Sequence, residues 1–211
     1  MMMKSIADRS VFNIWDEESR TFACGCMQQW YTTEWKRRAG CGPSVASNLL
    51  LYLNQTRSSI DLGDDFTSRE RCLRLMEEVW EFVTPKIGGV STTKRFYTAL
   101  EAYLQAKALQ AAYDFCNVPV QKAKRPALDE VLGFIGGALA KDVPVAFLNL
   151  CNGQEKDLDQ WHWVTIIALE YTEDKRGAEI EFLDEGKIWR INLASWYATT
   201  TLGGGFVCFN A

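Results

Sequence analysis

Seven cysteines and a lone histidine, His162, are the side chains of this 211-residue sequence best suited to covalent chemistry. Cys41 differs from the other six in its flanks, the stretch AGCGPSVASNLLLYL at 39–53. Gly40 and Gly42 are expected to leave room for a ligand backbone beside the sulfur. Pro43 suits the first turn of a helix, where an amide hydrogen has no partner anyway. Val45, Leu49 and Leu53 then recur at the spacing of one buried helical face. The pattern sets Cys41 at a helix N-terminus, where first-turn amides and the helix dipole favour the attacking thiolate. A nucleophilic cysteine needs a base that takes its proton and returns it to the leaving group. With one imidazole in the chain, that base is His162.

A third polar group must orient the imidazole. His162 opens an almost wholly apolar run, WHWVTIIALEY at 161–171, directly after a polar loop, which puts it at a strand end beside a cleft. Asp184 ends the next run, AEIEFLD at 178–184, and the segment TEDKRG between them is expected to be a turn. A hairpin closed there sets residue 165 against 184. Asp184 is then offset from His162 by about three residues, roughly 10 Å at strand rise, and a bulge or shifted register would close the gap. Asn149 and Asn192 are the fallback orienting groups. Trp161 and Trp163 are either core residues or walls of the cleft. Cys72, Cys116, Cys151 and Cys208 are expected to be ordinary buried thiols. Cys24 and Cys26 form a Cys-x-Cys pair without the further ligands zinc requires.

The elements that must position these residues follow from the periodicity. Residues 1–20 are expected to be an arm that docks through Phe12, Ile14 and Trp15. Residues 21–31 suggest a short strand, and TTEWKRRAG a polar loop into the Cys41 helix, which should end near Asn54. Cys72, Leu75, Met76, Val79, Trp80 and Val83 mark an amphipathic helix capped by Ser68 or Thr67. Phe96, Leu100, Tyr103 and Leu104 mark another, opened by Ser91 or Thr92. Residues 113–118 are a strand or an extended link, and Leu128 to Leu139 a fourth helix. From Val143 the chain turns to strands: VPVAFLNL, 161–171, 178–184, KIWRINL and FVCF at 206–209. Helices first and a strand meander after them imply an α+β fold. The expected organisation is one domain, with the arm at 1–20, a mainly helical lobe at 21–140 and an antiparallel sheet lobe at 141–211.

The bulk composition narrows the function. A hydrophobic content of 47%, 24% charged residues and a net charge of −4 describe a globular protein with no basic stripe for nucleic acid. KAKR at 122–125 is expected to be a solvated loop. The first ten residues lack a signal-peptide core and no stretch has membrane-span length, so the expected location is the cytoplasm. Seven cysteines is an odd number, and their scatter suggests no disulfide framework.

The segments GCGPSVASNLLLYL, GVSTTKRFYTALEAYL, VPVAFLNL, HWVTIIALEY and AEIEFLDEG, in this order across about residues 25–209, resemble the papain-like cysteine peptidases. More closely, they resemble the branch related to bacteriocin double-glycine leader peptidases. The resemblance implies a papain-like α+β fold and hydrolysis of a peptide or amide through an acyl-thioester, with no metal or organic cofactor. It assigns Cys41 as nucleophile, His162 as base and Asp184 as its orienting acid. The family's oxyanion glutamine commonly stands six residues before the cysteine, where this chain has Trp35. QQWYTTEW fits a version with a longer loop, which makes Gln29 the donor. An acyl or peptidyl transferase, a deamidase and a catalytically silent peptide-binding domain are the competing readings.

Overall fold

The computed structural model describes residues 2–174 and 177–210. Strand β1 (Met2–Ser5) opens the chain, followed by the hairpin β2 (Asn13–Asp16) and β3 (Thr21–Cys24). A 3-10 turn at Gln28–Trp30 leads to helices α1 (Glu34–Ala39), α2 (Cys41–Thr56), α3 (Arg69–Trp80) and α4 (Thr93–Ala106). Strand β4 (Ala112–Val118) and helix α5 (Leu128–Ala140) precede β5 (Val145–Asn149), β6 (His162–Tyr171), β7 (Ala178–Asp184) and β8 (Lys187–Asn192). Helix α6 (Leu193–Thr199) and strand β9 (Gly204–Asn210) close it. Lys175 and Arg176, in the expected turn between β6 and β7, lie outside the described residues.

Among the described residues, seven strands form one antiparallel sheet in the order β4-β9-β5-β6-β7-β8, with β1 extending the β5 side of β6. The sheet is therefore no simple meander. The last strand inserts between β4 and β5, and the expected arm supplies β1, pairing Met2 with Tyr171 and Ser5 with Ala168. Helix α2 packs on the sheet chiefly through β6, with α3 against its other side. Its sequence suggests one buried face, but every residue from Gly42 to Leu53 is buried, as befits a helix enclosed between sheet and helices. One contiguous apolar core runs from Ile6 to Phe209. Burial of each large side chain in it contributes about 1.5–3 kcal/mol.

The helix starts follow the capping chemistry. Ser68 accepts from the Arg71 amide and Thr92 from the Arg95 amide, each satisfying a first-turn donor. The same chemistry corrects the polar loop expected before Cys41. Thr33 caps α1 by accepting from the Lys36 amide at 3.3 Å, with Glu34 in the first turn and Lys36, Arg37 and Arg38 in the last. KAKR is not simply solvated either. Arg125 donates to the carbonyls of Pro119, Tyr197 and Thr200, tying the connection before α5 to α6. No helix of the described residues is long and apolar enough to cross a membrane.

Candidate active site

Cys41 is the first residue of α2, half-buried, and Gly40 joins α1 to it in a helical conformation. The two glycines leave space for the protein's own atoms, not for a ligand. A β-carbon on Gly40 would lie 2.5 Å from the Lys36 carbonyl oxygen and 2.6 Å from the Tyr31 ring; on Gly42 it would lie 2.9 Å from Val90. Gly40 is what lets α1 turn into α2 over the Tyr31 ring. Gly40→Ala is accordingly expected to destabilise the fold by about 1–3 kcal/mol, because the nearest atom is backbone and cannot yield. A urea titration reads this directly; an unchanged midpoint would mean that the junction relaxes without cost.

His162 lies at the start of β6, and its Nε2 is 2.9 Å from Asp184 Oδ1 at the end of β7. A register shift brings them together. From Ala168 to Tyr171 the β6 residues pair with Ala178 to Glu181 in the register of a tight hairpin, and a bulge between Ile166 and Ala168 then shifts the pairing so that Thr165 faces Leu183. Continued one step, this sets Asp184 against Val164, two residues from His162 and on the same face of the sheet. Without the bulge Asp184 would face residue 165 and point to the opposite face. Same-face diagonal neighbours are within reach of such side chains.

With Nε2 held by Asp184, Nδ1 is left for the Cys41 sulfur, which is near enough to favour the charged form of the ring. Burial alone would strip the proton from this ring. The Asp184 carboxylate and the Cys41 sulfur outweigh it and hold the His162 pKa well above its ordinary 6.5. Cys41 and His162 line a groove of about 480 Å³ whose wall also includes Trp35 and Trp161. Trp161 is 56% exposed, whereas Trp163 is core, stacked 4.3 Å from Phe96 and donating from Nε1 to the Val90 carbonyl at 2.6 Å. Trp161 has φ +54°, a strained conformation for a bulky residue.

Asn149 and Asn192 do not orient the imidazole. Asn149 is fully buried, donates to the Asp159 carbonyl at 2.6 Å and accepts from Trp196 Nε1 at 2.8 Å, which anchors the segment running into Trp161 and His162. Asn192 caps α6 by accepting from the Ser195 amide at 2.8 Å.

The structure does not bring Gln29 to Cys41. Gln29 lines a separate surface groove with Glu17, Arg37 and Arg69. Its neighbour Gln28 lines the Cys41 groove instead. The cause is the 3-10 turn at 28–30, in which successive side chains point about 120° apart. Trp30 takes the core direction at 4% exposure, and the two glutamines diverge. Gln28 Nε2 donates to the Arg37 carbonyl at 2.9 Å. Arg37 in turn donates to the carbonyls of Tyr31 and Thr32 at 2.8 and 3.0 Å, so the whole 28–37 loop is tied to itself. Asn48, one residue in the middle of α2, was not singled out by the sequence pattern. It accepts from the Cys26 amide at 2.7 Å and donates to Thr165 at 3.1 Å, pinning α2 between the Gln28 segment and the histidine strand. Its polar type inside an apolar helical run was the available signal.

All seven thiols are free. Cys151 is not the inert thiol its sequence context suggests. Hydrogen bonds from Thr201, and from the Gly153 and Leu202 amides, bring its pKa down to about 7. It is expected to alkylate near neutral pH, and Thr201→Val, which removes the hydroxyl donor, should slow that labelling severalfold at pH 7. Peptide mapping after brief iodoacetamide exposure measures both; equal labelling in the variant would remove the hydroxyl from the explanation.

No family model matches the chain, and no curated protein matches it. Among solved structures it is similar to UfSP from C. elegans, with a TM-score of 0.54 at 9% sequence identity. The match covers 99% of this chain and 34% of that one, so the chain spans about a third of its length. At that identity the likeness is one of fold, and the fold is the papain-like α+β architecture: a helical part and an antiparallel sheet.

Proposed function

We propose that the chain is a cysteine peptidase-like hydrolase that cleaves amide bonds through an acyl-thioester on Cys41. The observation that carries the reading is that Cys41 and His162 line one open groove while Asp184 holds the imidazole from behind, with Nε2 to Oδ1 at 2.9 Å. In this mechanism the Cys41 sulfur attacks the carbonyl carbon of the scissile amide as a thiolate. The His162 imidazolium gives its proton to the departing amine. The neutral imidazole then takes a proton from water, which attacks the thioester and releases the acid. Asp184 holds the ring in one orientation and favours its charged form. Gln28 Nε2, with the backbone amide of Cys41, donates to the developing oxyanion, an interaction worth roughly 3 kcal/mol of barrier per donor. Kinship to the double-glycine leader peptidases rests on the segments around Cys41 and His162 and is part of this proposal only.

A digest of a peptide library tests the reading. New termini formed by water are expected with the wild type and not with Cys41→Ala. Amine adducts in place of free acids would assign a transferase, and intact peptides with both proteins would leave a binding domain.

A further inference from the structure

Two buried side-chain polar atoms lack a hydrogen-bond partner among the described residues, Gln28 Oε1 and Ser44 Oγ. Both belong to the wall of the same small chamber, which also touches Cys41 and Asn48. Ser44 is 4% exposed. Its orphan hydroxyl is not the usual fate of a helical serine here. Ser47 and Thr56, in the same helix, donate back to the carbonyl four residues earlier. For Ser44 that carbonyl belongs to Gly40, and the serine hydroxyl makes no bond to it. The Tyr31 hydroxyl close by gives its proton to the Met76 carbonyl at 3.2 Å, so it has only lone pairs to offer Ser44 and leaves the serine oxygen without a donor. Asn48 is likewise spent on Cys26 and Thr165.

The chamber measures about 20 Å³. That exceeds the roughly 10–15 Å³ one water needs and is too small for any part of a peptide substrate. We propose that it is a built site for a single water molecule, which donates to Gln28 Oε1 and bonds Ser44 Oγ, and that Ser44 is thereby a positioning residue for the oxyanion donor. The logic is that of an amide held at both ends. Arg37 fixes Nε2 from one side. The water fixes Oε1 from the other. The second Nε2 hydrogen is then aimed at the groove, and the flip that would place a carbonyl oxygen there is blocked. Ser44 stands three residues after Cys41, on the adjoining face of α2, so nucleophile and water site are set by one rigid element.

The water site stands on geometry alone, whereas its role rests on the peptidase reading, and the test separates the two. A crystal structure at a resolution that shows ordered water is expected to place one within hydrogen-bond distance of both Gln28 Oε1 and Ser44 Oγ. A chamber without density, or Ser44 Oγ bonded directly to protein, overturns the site. In peptide cleavage, Ser44→Ala is expected to lower kcat about tenfold with KM unchanged, a part of what a full oxyanion donor supplies. Its iodoacetamide rate at Cys41 should stay that of the wild type, because the thiolate and imidazolium are untouched. Ser47→Ala, whose hydroxyl bonds within the helix, is expected to keep its kcat. An unchanged kcat in Ser44→Ala, or an equal loss in both variants, overturns the positioning role.

Discussion

Cys41→Ser and His162→Ala are each expected to lower kcat/KM for a cleavable peptide by on the order of 10⁵–10⁶-fold, and the double variant no further. The reason is that in the proposed mechanism the two side chains act as one device. The sulfur attacks only while the imidazole holds its proton, and the imidazole has nothing to deliver unless the sulfur has attacked. Asp184 and the Cys41 sulfur together hold the His162 proton against the cost of burial. Removing either reacting partner therefore removes the whole covalent route. What remains is the slower catalysis of binding and the oxyanion donors. Losses that multiply in the double variant would mean independent roles and would falsify the shared mechanism.

Asp184→Asn is the second large effect, expected at about 10²–10⁴-fold in kcat. The amide keeps the shape but cannot stabilise a positive ring. The pH profile carries the more specific signature. His162 is raised above 6.5 by Asp184 and Cys41 in opposition to burial. Activity that needs the imidazolium is present below the folded pKa and is lost as pH rises through it. Without the carboxylate, burial is opposed by the sulfur alone and the His162 pKa falls. The alkaline limb of kcat/KM in Asp184→Asn must therefore move to lower pH than in the wild type. A limb that stays in place would assign that ionisation to another group.

Much of this arrangement was legible in the chain because it rests on local signals. The Cys41 helix announces itself through proline and the apolar recurrence at Val45, Leu49 and Leu53. His162 is fixed by being the single imidazole and by opening the most apolar strand. Alternation at Glu179, Ile180, Glu181 and Phe182 marks β7. What stayed hidden depends on contacts distant in sequence or on small changes of backbone count. The bulge between Ile166 and Ala168 leaves no local mark, yet it decides which face Asp184 occupies. The choice between Gln28 and Gln29 turns on a 3-10 turn of three residues, too short for periodicity to reveal. The joining of β1 and β4 to the sheet is tertiary, since each strand is short and largely exposed. Gly40 and Gly42 were readable as close approaches, but not whose atoms approach. That α1 is a helix could have been read from Thr33, Glu34 and the following basic run. Those residues also suit a polar loop, and only the capping bond distinguishes the two.

The most direct test of the central claim is brief iodoacetamide labelling at about pH 6, with all seven cysteines quantified by peptide mapping. At that pH an ordinary thiol, with a pKa near 8.5, is almost wholly protonated. Cys41 is predicted to be labelled first in the wild type and to lose that lead in His162→Ala, while Cys151, held by Thr201 and backbone amides, keeps its rate in both. Labelling of Cys41 no faster than that of Cys24 or Cys116, or a rate indifferent to His162, would contradict the account.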